Sequence, residues 1–296
     1  MRRGIVCICL SAFGFALMAM FVRLADVAGE PLPAIQKAFF RNVVALAIAV
    51  PTFLRSRRAG AVLRPGGMTS GDWLALTLRS AFGTLGVFTN FYAISVISIG
   101  DAMALNKTAP FFTIVACWAL MGERMSLRQA LCVAGAFLGA MFVVKPGFPQ
   151  NGQALHSLVG LSSGVFAGVA YALLHRLGRR GVDGSFVVLF FSAFSCAACL
   201  PFLAFGCRAM NAAQVASLCG AGAGAALGQF GITWAYRFAE PRQIAVYDYS
   251  GLIFAAGLGF LAFGQVPDVW SCIGFAVIVG MAACLYRGRQ GSTAGR

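Results

Sequence analysis

Acidic side chains are scarce: the 296-residue chain has nine aspartates and glutamates, and only 11% of its residues carry charge. Soluble domains carry about 25%, so an ordinary water-soluble fold is excluded. Histidine is scarcer still, with His156 and His175 alone, and neither an H-E-x-x-H run nor paired acids at metal spacing occur. No metal site is predicted, and an enzyme would have little to work with. A G-x-x-x-x-G-K-[ST] loop is also missing, so the sequence has no ATP-binding motif of that kind. The ten cysteines follow no disulfide or metal framework. Cys117, Cys132, Cys219, Cys272 and Cys284 lie inside apolar runs, where cysteine acts as a small hydrophobe. Cys196 and Cys199 form a C-x-x-C that reads as two small residues of a membrane helix rather than a redox pair. "GLSSG" at 160–164 has the spacing of a nucleophile elbow, but that motif needs a strand-to-helix turn and a downstream histidine, and none follows His175. No catalytic residue and no cofactor are expected.

What the chain has instead is apolar length, with 59% hydrophobic residues and a mean hydropathy of +0.81. A hydrocarbon core about 30 Å thick takes about 20 apolar residues per helix. Spans are predicted near 4–22, 32–54, 73–96, 102–121, 130–144, 157–174, 185–205, 215–235, 243–262 and 269–286. The first follows Arg2 and Arg3 but exceeds a signal peptide's apolar core of about 7–15 residues, and is read as a retained helix. Lysine and arginine divide unequally. Sixteen fall on the side of the N-terminus, three (Arg23, Lys145, Arg208) on the other, and four (Lys37, Arg41, Arg79, Lys107) within spans. Basic loops such as "RSRR" and "HRLGRR" stay in the cytoplasm, so both termini are predicted cytoplasmic. The +14 net charge is then a topology signal facing the lipid bilayer, and no nucleic-acid partner is expected.

Shifting the chain on itself by 142 residues lays 91–123 on 233–265. Ala93 meets Ala235, Phe112 meets Phe254, Gly122 meets Gly264 and Tyr92 meets Trp234. Ten spans in two halves make five per half, and an odd number turns the second half upside down. Inverted repeats with a site between them are the architecture of alternating-access secondary transporters. The expected fold class is all-α integral membrane, with ten transmembrane helices as two inverted five-helix repeats.

Three stretches carry a family resemblance: "AFFRNVVAL" in the second span, "ALMGERMSLRQALCVAGAFLGAMFVV" closing the first half, and "YDYSGLIFAAGLGFLAFGQVPDVWSCIGFAVIVGMAACLY" closing the second. Over nearly its whole length the chain resembles the drug/metabolite transporter superfamily, in its ten-helix branch with two EamA-type domains. The repeats are then a first EamA repeat at 4–146 (helices 1–5) and a second at 155–287 (helices 6–10), with a short basic cytoplasmic tail at 288–296. The family usually has Gly-Glu after the fourth and ninth helices. Gly122-Glu123 fits, whereas Gly264-Gln265 has lost the acid. The resemblance implies a multi-pass protein of the bacterial cell inner membrane. Members like this one export amino acids and related metabolites, or take up compounds such as S-adenosylmethionine.

A charge inside the membrane costs about 3 kcal/mol or more unless paired or hydrated, so the in-span charges point to function. Lys37 and Arg79 are near enough to span ends to snorkel. Arg41 lies about 13 Å along its helix at about 1.5 Å per residue, as a pathway residue or one member of an ion pair. Asn90 and Tyr92 are on the third span, and Asn106 and Lys107 on the fourth. Asp248, between Tyr247 and Tyr249, enters the ninth from the cytoplasmic side. The repeat places one polar cluster near each mouth of a central path, so direct contact between Lys107 and Asp248 is not expected. Four in-span cations against one acid suit a substrate carboxylate. Asp248 takes a substrate ammonium group, binds a coupling proton, or caps its helix. The candidate substrate-binding set is Arg41, Asn90, Tyr92, Asn106, Lys107, Trp234, Tyr247, Asp248 and Tyr249. Gly160, Gly164, Gly168 and Gly220, Gly224, Gly228 form two stripes at four-residue spacing, which let membrane helices pack closely.

The sequence therefore predicts a secondary transporter, an exporter of a small carboxylate-bearing or zwitterionic metabolite: an amino acid or an amino-acid-derived compound such as a metallophore. Protons are the candidate coupling ion. The alternatives are uptake of S-adenosylmethionine or another cofactor and, in a different class, a non-transporting membrane scaffold or receptor subunit. The oligomeric state is left open.

Overall fold

The computed structural model describes residues 2–58, 67–122, 125–144, 153–238 and 245–291. Every regular element among them is helical: α1 (Arg2–Val27), α2 (Ala34–Arg58), α3 (Ser70–Val96), α4 (Ile99–Asn106), α5 (Ala109–Met121), α6 (Leu127–Val144), α7 (Gln153–Arg179), α8 (Gly184–Gly206) and α9 (Ala212–Phe238), then a 3₁₀ turn (Ala245–Tyr249), α10 (Ser250–Phe263) and α11 (Val269–Gly291). Six stretches are long and apolar enough to cross a membrane, and shorter apolar helices lie in α9, the segment of α10, and α11. The protein is an all-α integral membrane protein.

Two expected continuous spans are broken. The fourth is α4 and α5, separated at Lys107 and Thr108; the ninth is the 3₁₀ turn followed by α10. Pro110 in the first turn of α5 explains the first break, because it lacks the N–H that would bond the carbonyl of Asn106 and its ring crowds that carbonyl. At the second, Asp248, Ser250 and Gly251 are poor helix formers. Both broken spans end alike. Gly122 and Gly264 adopt the left-handed conformation at φ 67° and 65°, which suits a residue without Cβ. Their N–H groups reach back to the carbonyls of Cys117 and Trp118 and of Gly259 and Phe260, pairs that keep the 142-residue offset. The lost family acid after the ninth span is replaced by an amide that still accepts: Gln265 Oε1 takes the N–H of Ile99 at 3.0 Å, where α4 begins.

Helix pairings come in matched sets. α1 packs on α9 and α3 on α7; α5 packs on α7 and α10 on α1; α2 packs on α9 and α3 on α8; α2 meets α8, and α6 meets α11. Exchanging α1 with α7, α2 with α8, α3 with α9, α5 with α10 and α6 with α11 turns each pairing into another of the set or into itself. This is the packing of two equivalent five-span halves.

At the end where α1 finishes, the connections are tied together. α1 runs past the predicted end at Val22 to Val27, so Asp26 is helical and reaches Lys37. Lys37 is 1% exposed and pairs with Asp26 at 2.8 Å, with a further bond to the Ser95 hydroxyl. It does not snorkel, because a carboxylate meets it inside the fold. Arg23 donates to the carbonyls of Ile94 and Ser95. Gln36 and Arg208 exchange two bonds, amide to carbonyl at 2.9 Å and N–H to amide oxygen at 3.0 Å. Gln214 donates to the carbonyls of Ala25 and Glu30 at 3.1 and 2.9 Å. At the opposite end Thr69 caps α3 in a reciprocal box with Asp72. The Thr69 hydroxyl and N–H bonds hold the Asp72 carboxyl below the usual carboxylate range.

Removing one partner of a buried pair costs about 3–5 kcal/mol, whereas replacing both by apolar groups is often neutral. Asp26→Asn is therefore expected to lower the unfolding temperature of the purified protein clearly, and Asp26→Asn with Lys37→Met to restore most of the loss. Scanning fluorimetry in detergent checks both.

Candidate functional site

The joint between α4 and α5 is built by backbone economy. The Thr108 hydroxyl turns back onto the Leu105 carbonyl at 2.5 Å, and the Lys107 N–H bonds the Met103 carbonyl at 2.9 Å. α7 presses on this joint through its glycine stripe. A Cβ on Gly164 would overlap Thr108 Oγ1 and lie 2.7 Å from the Leu105 carbonyl oxygen, and one on Gly168 would lie 2.9 Å from that of Ala109. A Cβ on Gly160 would meet Leu105 Cδ1 at 3.1 Å. Ser163, on the same turn of α7, accepts a bond from Asn106 Nδ2 at 3.1 Å. The second stripe does the same for α1: added Cβ atoms on Gly220, Gly224 and Gly228 would lie 2.8–2.9 Å from Phe21, Met18 and Phe15. α1 in turn packs on the 3₁₀ turn.

The two breaks face each other. Lys107 Nζ makes an ion pair with Asp248 Oδ2, and the Tyr249 hydroxyl donates to the Lys107 carbonyl at 3.3 Å. This overturns the expectation that Lys107 and Asp248 lie too far apart in depth to touch. That expectation assumed continuous helices, whereas each chain breaks just where it carries its charge. The pair is not sealed, with side chains 13% and 26% exposed, and Asp248 Oδ1 has no partner. No side-chain hydrogen bond caps the first turn of α10 from Tyr249, and the Asp248 carboxylate turns to Lys107 instead.

A second group stands beside the first. Arg41 of α2 is 9% exposed, donates to Asn42 Oδ1 at 3.0 Å, and leaves Nε without a partner. Arg79 of α3 lies over the Phe191 ring of α8, 4.2 Å from its centroid, with Nε and Nη1 buried and unpartnered. Snorkelling is again overturned, because the aromatic face holds the guanidinium inside. Tyr171 of α7 is half exposed yet lies within Coulombic reach of Asp248, Arg79 and Arg41. The tyrosine on α7 thus feels charges carried by three other segments of the chain. The sequence reading passed over Tyr171. Its signal was its place one turn beyond Gly168 on the stripe that runs through Gly160 and Gly164.

Of the remaining candidates, Tyr92 stands apart: its hydroxyl bonds His156 Nδ1 at 2.7 Å on an exposed seam between α3 and α7. Asn90 is buried with Oδ1 unpartnered, and Tyr247 is half exposed in the 3₁₀ turn. Trp234 lies on α9 with its side chain outside the described residues. An apolar cavity of about 280 Å³, lined by Phe111, Phe112, Val133, Phe137 and Leu161, lies between α5, α6 and α7 and holds none of the charged groups. Among the described residues no three His, Cys, Asp or Glu side chains gather closely enough to hold a metal ion. Chemically, these residues offer one partly exposed cation–anion pair and two cations with no ion-pair partner among the described residues.

Residues 2–145 match the EamA-like transporter family. The chain is 29% identical to the pseudopaline exporter CntI of Pseudomonas aeruginosa, over 98% of both chains. It is 25% identical to a riboflavin transporter of Brucella anthropi, over 90% of this chain and 91% of the relative. A protein of known crystal structure, 21% identical, shares the fold at a TM-score of 0.59 over 94% of this chain and 98% of that one.

Because the atoms opposing Gly164 include backbone, Gly164→Ala is expected to cost about 1–3 kcal/mol as an overpacked position. Gly178→Ala on the same helix, where a Cβ meets nothing within 4 Å, should be neutral or slightly stabilising. Comparing their unfolding temperatures tests whether the stripe seats the joint.

Proposed function

For a chain that carries an EamA-like domain of the drug/metabolite transporter superfamily in its first half, we propose secondary transport: export, across a bacterial inner membrane, of a small carboxylate-bearing or zwitterionic metabolite. The observation that carries this reading is the Lys107–Asp248 pair, held where two interrupted helices meet and still partly exposed. A zwitterion can replace each partner of that pair with its own group, its carboxylate to Lys107 and its ammonium to Asp248. Neither charge is then left alone in a low-dielectric interior. Asp248, released from Lys107, is also the group to take a coupling proton. Asn106, Tyr249 and Arg41 complete the substrate-binding set in this reading.

The two repeats, 4–146 and 155–287, rock about this site with both termini in the cytoplasm. In that orientation the Gln36–Arg208 and Gln214 bonds close the outer mouth. Similarity to a pseudopaline exporter supports export and an amino-acid-derived compound such as a metallophore. The unpaired arginines disfavour a cation such as S-adenosylmethionine. The chain acts as a carrier, with no chemical step of its own.

Purified protein in proteoliposomes is expected to move one carboxylate-bearing member of a mixed pool of amino acids and their derivatives when a pH gradient is imposed. Asp248→Asn should insert normally and lower that flux about tenfold to a hundredfold or more, the scale of a lost charge-assisted bond. Unchanged flux in the Asn variant would overturn the role of Asp248.

A further inference from the structure

Two interior arginines, Arg41 and Arg79, have no counter-ion among the described residues. Each keeps buried N–H groups without an acceptor, and each sits at least nine-tenths enclosed or pinned against an aromatic face. Besides the phenol of Tyr171, the group that acts on Arg79 is Arg41, of the same sign. Like charges in a poorly screened interior repel, and unsatisfied buried donors cost further free energy. The arrangement is incomplete as it stands, and what it lacks is an anion with several acceptor oxygens.

We propose that Arg41, Arg79 and the Tyr171 hydroxyl form a second subsite, separate from the Lys107–Asp248 pair, that binds an additional carboxylate of the substrate. This rests on the reading of the chain as a carrier of zwitterions and narrows it. The cargo has at least two carboxylates and one ammonium group, so its net charge is negative. The geometry favours a carboxylate over a point anion. A guanidinium presents a planar fork of donors that matches two oxygens, and the Phe191 face fixes the plane of Arg79 while leaving its edge free. Tyr171 feels the charges of both Asp248 and the two arginines, and on this proposal one small molecule engages both subsites at once.

The test uses three amino dicarboxylates of increasing length (aspartate, glutamate and 2-aminoadipate), each paired with its side-chain amide. Radiolabelled probes are measured by scintillation proximity on the full chain in nanodiscs. At least one acid is expected to bind tenfold or more tightly than its amide, since a site built for a polar group rejects the analogue that lacks it. Arg41→Gln and Arg79→Gln should each abolish that preference. Tyr171→Phe, which keeps the ring, should reduce the preference severalfold and serves if an arginine variant does not fold. Removing a buried cation that has no counter-ion among the described residues should also leave the unfolding temperature of the ligand-free protein unchanged or raised. Equal binding of acids and amides would overturn the second subsite and leave the zwitterion carrier standing. A preference that survives in both arginine variants would overturn its assignment to these residues. Binding of neither acids nor amides would overturn the carrier reading beneath it as well.

Discussion

A helix that stops inside a membrane leaves peptide groups with no water to satisfy them, and each such group costs several kcal/mol. This chain stops two helices, and much of the fold follows from settling that cost. At the first break the Thr108 hydroxyl takes up the Leu105 carbonyl and the Tyr249 hydroxyl reaches the Lys107 carbonyl. At the start of α4, Ser98 accepts from Asp101 N–H, and Gln265 accepts from Ile99 N–H. Tyr249 and Gln265 flank α10. One half of the chain therefore completes the hydrogen bonding of a broken span in the other, which makes the halves mutually dependent.

Such bonds need short distances between backbones, and the glycine stripes supply them. With a Cβ at Gly164 the joint would be pushed off α7, and Asn106 would lose its place against Ser163. α9 brings α1 close by the same means, and α1 carries the contact on to the 3₁₀ turn. Helix packing in lipid has no hydrophobic driving force between helices and relies on close fit. The surfaces that seat the site are thus glycine-lined on one side, with Phe112, Phe15, Phe21 or backbone lying against them from the other.

Apolar length, the 142-residue offset and the stripes were legible in the sequence because each is a local or periodic property. The offset even anticipated that Gly122 and Gly264 would be equivalent, and their shared left-handed caps agree. The ion pairs were not legible. Lys37 finds Asp26 only because α1 runs a turn beyond its most apolar stretch, and hydropathy does not report a helix end that continues into polar residues. Lys107 finds Asp248 only because two spans break. Pro110 was the available sign of one break, whereas nothing as strong as a proline marks the other among residues 245–251. Tyr171 escaped notice because tyrosine is ordinary in a membrane helix, and its three charged neighbours come from segments far away in sequence.

The four in-span cations divide according to water and shape. Lys37 and Asp26 are almost wholly enclosed, and separating them would strand two charges in a medium that cannot solvate them. Such a pair acts as a fastening. Lys107 and Asp248 have the same chemistry but keep 13% and 26% of their side chains exposed, so a substrate's own charges can take over from each partner at a much smaller cost. A lysine suits that exchange, as a compact charge on a flexible stem that can follow either anion. The two cations left without acids are both arginines, whose rigid fork gains most from a planar carboxylate that arrives in one orientation. On the proposed reading, the charge that must let go is a lysine's and stays partly exposed, and the charges that recognise are arginines, one of them held against a ring.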